Sequence, residues 1–169
     1  MKKNDPADES IAVVDEANRV IGSATRREMR SNNLIHRATF IFVLNRSGEL
    51  FVQKRTQNKD VYPGYFDVAT GGVVGAGETY EESARRELEE ELGIVGQPLD
   101  ALFDFFWQDE GNRVWGRAFI CRYDGPVALQ QEEVEWGAFM PLGKVHEMVK
   151  SKPFTPDGLY ALDRFLTQR

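Results

Sequence analysis

The stretch GGVVGAGETYEESARRELEEELGI, residues 71–94, constrains the fold more than any other part of the chain. A glycine-rich turn runs straight into a helix whose start, stop and buried face can all be read from the residues. Thr79 and Glu82 make an S/T-x-x-E capping box, so the helix starts near Thr79. Gly93 supplies the left-handed residue that ends it. Tyr80, Ala84, Leu88 and Leu92 recur every fourth residue and form one apolar stripe, which must lie on a core. The glycines at 71, 72, 75 and 77 let the preceding backbone turn tightly and approach whatever that helix covers.

Four of the five residues 87–91 are glutamates. Of these, Glu87, Glu90 and Glu91 project within an arc of roughly 100° beside the apolar stripe. Carboxylates so close repel one another and are driven towards their protonated forms. They also stand near a helix C-terminus, where the macrodipole disfavours negative charge. A solvated acidic face is one account of them. A hard divalent cation is the other, because it removes both penalties, and clustered oxygen donors suit Mg²⁺, with Mn²⁺ as a substitute.

The rest of the 169-residue chain is consistent with one domain large enough for its own core. Residues 1–9 are polar and expected to be loose, leaving 10–169 as a single domain. SIAVVDEANRVIGSAT reads as two short strands about a turn at residues 16–18, and RREMRSNNLI as a short helix or loop. ATFIFVLNRSGELFVQKR reads as a hairpin turning at residues 45–48. VATGGVV reads as a short strand entering the glycine turn. ALFDFFWQ and RVWGRAFICRY pair about residues 109–112. Residues 138–150 give a strand and a helix, and TPDGLYALDRFLTQR closes the chain as a helix with Thr155 at its cap and Pro156 in its first turn. The pattern is α+β, a mixed β-sheet with helices on its faces.

The formal charge of −6 argues against a nucleic-acid polymer as partner. A small anion remains compatible, because a bound cation inverts the local field. The lone Cys121 sits in a strand pattern, reads as packing, and fits a reducing cytoplasm. MKKNDPADES lacks the apolar run of a signal peptide, and nothing approaches a membrane span.

Residues 72–94 also carry the spacing G-x5-E-x7-R-E-U-x-E-E-x-G-U, where U is a bulky aliphatic residue. Gly72, Glu78, Arg86, Glu87, Leu88, Glu90, Glu91, Gly93 and Ile94 fill its nine specified positions. The chain therefore resembles the Nudix hydrolases. The resemblance implies an α/β/α sandwich, a divalent metal and hydrolysis of a diphosphate bond in a nucleoside diphosphate linked to another moiety. It implies that Glu87, Glu90 and Glu91 hold metal with the Gly72 carbonyl as a further ligand, and that Glu78 and Arg86 form a structural ion pair. The general base is either Glu87 or an acid in the QQEEVEW loop, where Glu133 is preferred over Glu132. The expected partner is a small-molecule diphosphate, with a homodimer as the protein–protein contact considered.

The segment IHRATFIFVLNRSGELFVQKRTQNKDVYPGYFDVATGG further resembles type 1 isopentenyl-diphosphate isomerase, which shares the fold. The isomerase has C-G-H-P where this chain has residues 71–74 as G-G-V-V, so the catalytic thiol and the metal-binding histidine are both gone. NRVWGRAF stands where the isomerase has its second-half glutamates. The resemblance thus points to the isomerase-like, YfcD-type branch of the Nudix hydrolases. His36 matches an isomerase metal ligand whose partner histidine is missing, which leaves it a structural or substrate-contacting residue. Lys54 and Arg55 end a strand and should point to opposite faces, with at most one reaching a phosphate. Phe66, Trp107, Trp115 and Arg117 are candidates for stacking a base. A binding module that has lost catalysis and an isomerase are the alternative readings.

Overall fold

The computed structural model describes residues 5–168. Its elements are β1 (Ser10–Val14), β2 (Val20–Thr25), α1 (Arg26–Ser31), β3 (His36–Leu44), β4 (Leu50–Arg55), β5 (Phe66–Asp67), α2 (Tyr80–Leu92), β6 (Asp100–Asp109), β7 (Asn112–Arg122), β8 (Val134–Met140), α3 (Leu142–Val149) and α4 (Pro156–Thr167). Of the N-terminal residues, 1–4 lie outside the described ones, and Pro6–Asp8 form a 3-10 turn capped by the Asp5 carboxylate on the Ala7 amide.

β3 dictates the layering. Phe40, Phe42 and Leu44 point to one face, Ile41 and Val43 to the other, and all five are buried. A strand apolar on both faces must be covered on both. On one side the α2 stripe of Tyr80, Ala84, Leu88 and Leu92 packs over Ile41, Val43, Phe119 and Cys121. On the other, Val145 of α3 and Ala161 and Leu162 of α4 pack with Phe42, Phe105 and Ala118. Each large apolar side chain fully buried in these layers contributes about 1.5–3 kcal/mol. The result is an α/β/α sandwich about a mixed sheet.

The sheet corrects two sequence expectations. β3 and β4 do turn at residues 45–48, but they pair only at Leu44 with Leu50. β3 instead runs parallel to β7 from His36 opposite Val114 to Leu44 opposite Arg122, and β4 pairs with β8 and β5. Nor is VATGGVV a continuous strand. It bridges β3 singly, through Thr70 with Ile41 and Val73 with Ala38. The two departures have one cause. One edge of β3 belongs to β7, and the other is shared in turn by β1, residues 73 and 70, and β4. The glycine loop is thus wedged where a hairpin partner would lie, and the sheet opens there.

Gly71 makes the wedge fit. Its φ is +153°, and a Cβ there would sit 2.1 Å from the Thr39 carbonyl oxygen. Backbone on both sides leaves nothing to give way. Gly71→Ala is expected to destabilise the fold by on the order of 3 kcal/mol, from overpacking added to backbone strain. A thermal melt checks this, and an unchanged midpoint would contradict it. The same contact bars a cysteine at this position, so restoring the isomerase thiol cannot be accommodated by the loop as built.

Candidate active site

α2 has the start and stop read from its residues. Thr79 Oγ1 accepts the Glu82 amide at 3.1 Å, the Glu82 carboxylate accepts the Thr79 amide at 3.3 Å, and Gly93 ends the helix with φ +68°. Loop and helix are clamped by a charged pair. Arg86 Nε donates to Glu78 Oε2 at 2.8 Å and Nη2 to Oε1 at 2.9 Å, a bidentate fork. Glu78 Oε1 also accepts the Gly75 amide at 2.8 Å, so a single carboxylate fastens the glycine loop to the middle of α2.

The clamp brings Gly72 against Glu87: a Cβ at Gly72 would meet the Glu87 carboxylate at 2.7 Å. The Gly72 carbonyl pairs with the Thr39 amide at 3.0 Å. Arg86 Nη1 donates to Glu87 at 2.9 Å and to Glu90 at 3.3 Å, so a guanidinium bridges these two acids. With that arrangement, no three acid, histidine or cysteine side chains among the described residues are closed into a ready ligand set. Glu91 differs from both. It is 4% exposed and its Oε2 has no hydrogen-bond partner. Burial, then Glu87 and Glu133 close by, push its carboxyl well above the usual range. Burial also raises Glu87, although Arg86 opposes the shift. A buried carboxylate without a donor is costly. Hard oxygen donors, one of them orphaned on Glu91 and another, on Glu87, set against a position that excludes a Cβ, fit a divalent cation.

The loop before β8 reaches this site through the backbone. The Ala128 amide donates to Leu92 O at 3.0 Å and Gln130 to Glu91 O at 2.9 Å, laying residues 128–130 over the end of α2. Glu133 follows, and its Oε2 is ion-paired with Lys59 Nζ. Glu133 therefore stands close enough to Glu91 to disfavour its ionisation. The Glu132 carbonyl accepts from Thr56 Oγ1 at 3.3 Å.

Lys59 belongs to a cationic wall that the sequence alone does not reveal. The wall lines a cavity containing Gly71 and Gly72, together with Arg26, Arg30, Arg55 and His36. Arg26 and Arg30 sit one turn apart on α1 and both grip Asp60, at 2.8 and 3.0 Å. Burial pushes Asp60 up, but the two guanidinium groups overcome it and hold the carboxyl well below its ordinary range. Arg55 donates to Val61 O and lies 3.7 Å from Asp67. His36 is 2% exposed with Nδ1 3.3 Å from Leu34 O, and burial, helped by Arg30, pulls it down to about 3. It is a neutral ring in the cavity wall. A second cleft, running past Glu132 and Glu133 to Asp5, shares Arg26, Arg30 and Lys59 with the first.

The other proposed substrate contacts fall elsewhere. Lys54, one residue from Arg55, bonds Glu135 at 3.0 Å on the opposite face and lies over the Phe66 ring. Phe66 stacks on Phe154. Trp107 packs on Tyr160, and its indole donates to Asp109. Strand parity decides Trp115 and Arg117. Asn112 and Val114 of β7 face the cavity, so the odd-numbered positions face α2, where Arg117 lies 4.4 Å over Tyr80 and pairs with Asp104 and Glu81.

Asp67, Asn112 and Asp157 also line the cavity. Asn112 Nδ2 donates to Asp157 Oδ2 at 3.1 Å and to Tyr62 Oη at 3.2 Å. Burial, then the neighbouring Asp67, raise the Asp157 carboxyl from 3.8 to about 7. The folded chain thus keeps a proton that the unfolded chain has already released, so stability falls as pH rises through that window. Asp157→Asn carries no such charge. Its stability is expected to gain on wild type progressively from pH 4 to pH 7, by up to ~1.4 kcal/mol for each pH unit crossed. Thermal melts of both proteins across that range check this, and a constant difference between their midpoints would contradict the assignment.

Comparison with known proteins agrees with the geometry. The NUDIX domain model matches residues 34–164. The chain is 48% identical over 158 residues to the uncharacterized Nudix hydrolase PA4841 of Pseudomonas aeruginosa, covering 94% of each chain. It is 45% identical over 154 residues to the uncharacterized Nudix hydrolase YfcD of Escherichia coli, covering 91% of this chain and 84% of that one. Among solved structures, DR0079 from Deinococcus radiodurans superposes with a TM-score of 0.78 at 24% identity, over 92% of this chain and 98% of that one. The NUDIX domain of Shewanella oneidensis NrtR, complexed with ADP ribose, gives 0.66 at 14% identity, over 86% and 99%. With its complete Gly72–Ile94 signature built into a loop-and-helix clamp, the chain belongs to the Nudix hydrolase family, in the branch of the YfcD-type enzymes.

Proposed function

We propose that this enzyme is a Mg²⁺-dependent pyrophosphohydrolase, with Mn²⁺ as a substitute, acting on a nucleoside diphosphate linked to a further moiety. The observation that carries the reading is that Gly72 stands between two opposite charge sets. Glu87 of α2 lies against Gly72, with Glu90 and Glu91 on the same helix, and Arg26, Arg30, Arg55 and Lys59 line the cavity that Gly72 also lines. A diphosphate needs both: a cation held by carboxylates, and fixed positive charge for the oxygens that the cation does not reach.

Glu87, Glu90 and Glu91 are the residues that would hold the metal, which when bound supplies Lewis acidity at the phosphorus. Arg55 and Lys59 bind and orient the diphosphate. Glu133 takes a proton from the attacking water as the new P–O bond forms and the bridging P–O bond breaks, and its pairing with Lys59 keeps the carboxylate aimed. Glu87 is the alternative base, but its carboxylate is engaged by Arg86. The ADP-ribose complex of the Shewanella domain supports a nucleoside diphosphate joined to a sugar as a ligand for this fold.

The test is a panel of nucleotide diphosphates and diphosphate conjugates incubated with Mg²⁺, with Mn²⁺ and with chelator. Metal-dependent release of a phosphorylated product is expected. Turnover undiminished by chelator, or conversion of isopentenyl diphosphate to its isomer, would overturn the reading.

A further inference from the structure

Arg26, Arg30, Arg55 and Lys59 all line the cavity, but they are not held alike. Arg26 and Arg30 grip Asp60, at 2.8 and 3.0 Å. Arg55 donates to the Val61 carbonyl at 3.0 Å and lies 3.7 Å from Asp67. Of the four, only Lys59 has its ion pair, among the described residues, with an acid of the reacting centre: its ammonium meets Glu133 Oε2.

The setting makes that ammonium more than a surface charge. The Lys59 side chain is 13% exposed, against 33% for Lys54. The loop carrying Glu133 is laid over the end of α2 by the bond from the Gln130 amide to Glu91 O. Burial is the largest influence on both Glu87 and Glu91 and pushes their carboxyls up. Lys59 works against it at both, with Arg86 the stronger opponent at Glu87. Three acids therefore feel one ammonium, Glu133 by contact and the two on α2 through space.

A divalent cation held by Glu87, Glu90 and Glu91 answers the same need. Two cations that serve one set of carboxylates compete, because each neutralises charge that draws the other and the two repel where water screens them poorly. Arg86 cannot give way, since two bonds fix it to Glu78. A lysine ammonium is a compact charge on a flexible stem, with donors that can turn to another anion.

We infer that Lys59 is a resident counter-ion of the α2 acids, whose charge competes with the metal and so lowers the affinity of the protein for it. The inference goes beyond the hydrolase reading, in which Lys59 serves the diphosphate and the aim of Glu133, and rests on that reading for the metal-holding role of Glu87, Glu90 and Glu91. Its sign is the reverse of the usual loss: removing this active-site charge tightens metal binding.

The experiment measures Mn²⁺ binding to the full chain, with no substrate present, from the electron paramagnetic resonance signal of the free ion. K59M and, independently, K59Q are expected to bind Mn²⁺ roughly tenfold more tightly than wild type, the scale of one unit charge removed from beside a partly buried cation. K59R keeps the charge and should stay near wild type. K54M removes a lysine paired with Glu135 on the opposite face, and should also stay near wild type, which separates local competition from a change of net charge. Adding E91Q to K59M should abolish the gain, which locates it at the acids of α2. Circular dichroism confirms that each variant is folded. Unchanged or weaker binding by folded K59M and K59Q, an equal gain in K54M or K59R, or a gain that survives E91Q overturns the inference. Binding of Mn²⁺ by none of these proteins overturns it together with the metal reading. Metal-dependent diphosphate hydrolysis without a gain in K59M and K59Q removes the counter-ion and leaves the hydrolase. The expected gain without hydrolysis of any panel member leaves the counter-ion and removes the hydrolase.

Discussion

Glu91→Gln is expected to lower kcat by at least roughly 10²- to 10³-fold, the scale on which one electrostatic contact to a transition state is lost. The variant should fold, because Gln has the same shape and replaces a buried carboxylate that has no donor on Oε2. It should also bind Mg²⁺ more weakly. Glu90, half exposed and shared with Arg86, should give a smaller loss. The measurement is kcat against Mg²⁺ concentration for both variants, with a thermal melt of each. Unchanged turnover of Glu91→Gln at limiting Mg²⁺ would remove Glu91 from the metal site.

Glu133→Gln is expected to lower kcat by roughly 10²- to 10⁴-fold, the usual range for a lost general base. Mg²⁺ affinity should change little, because Glu133 stands on a different element from the acids of α2. The acidic limb of the pH–rate profile should flatten, since it reports the base in its protonated form. If Glu87 is the base, Glu133→Gln will be mild and Glu87→Gln will impair turnover and metal affinity together. Glu132 is adjacent, so Glu132→Gln and the double variant belong in the same series. Near-wild-type turnover in the double variant would place the base on α2.

The contrast between these two acids shows what can be read in the sequence. The position of Glu91 is legible because it follows from helix periodicity: the stripe of Tyr80, Ala84, Leu88 and Leu92 fixes which way its neighbours point. The Thr79 cap, the Gly93 stop, the pairing of β6 with β7 and the parity of Lys54 and Arg55 are local in the same way. Glu133 is named in the sequence only through the family resemblance, because what carries its loop to α2 is a backbone bond from Gln130 to Glu91, between residues far apart in sequence. The arginines of α1 are hidden for a related reason. RREMRS is simply a charged helix until the β1–β2 hairpin carries it across to Asp60. The expected hairpin of β3 with β4 fails because turn chemistry specifies the reversal at residues 45–48, while pairing beyond it is decided by competition for the edge of β3. Side-chain chemistry alone misplaces Trp115 and Arg117. Counting alternate positions along β7 from a known core residue sends them to the α2 face.

The shared edge of β3 also governs how the site can move. Thr70 and Ile41 exchange both backbone bonds, at 2.9 and 2.7 Å, Thr39 pairs with Gly72, and Val74 donates to Arg37 while its own carbonyl accepts from Ala12. The glycine loop is therefore stitched to two strands of the central sheet, and its amides should exchange with solvent only when the sheet itself opens. A loop held so tightly cannot serve as a lid. The opposite wall is tied differently, by charged side chains rather than by backbone: α1 is joined to the segment carrying Lys59 and Tyr62 through the ion pairs of Arg26 and Arg30 with Asp60.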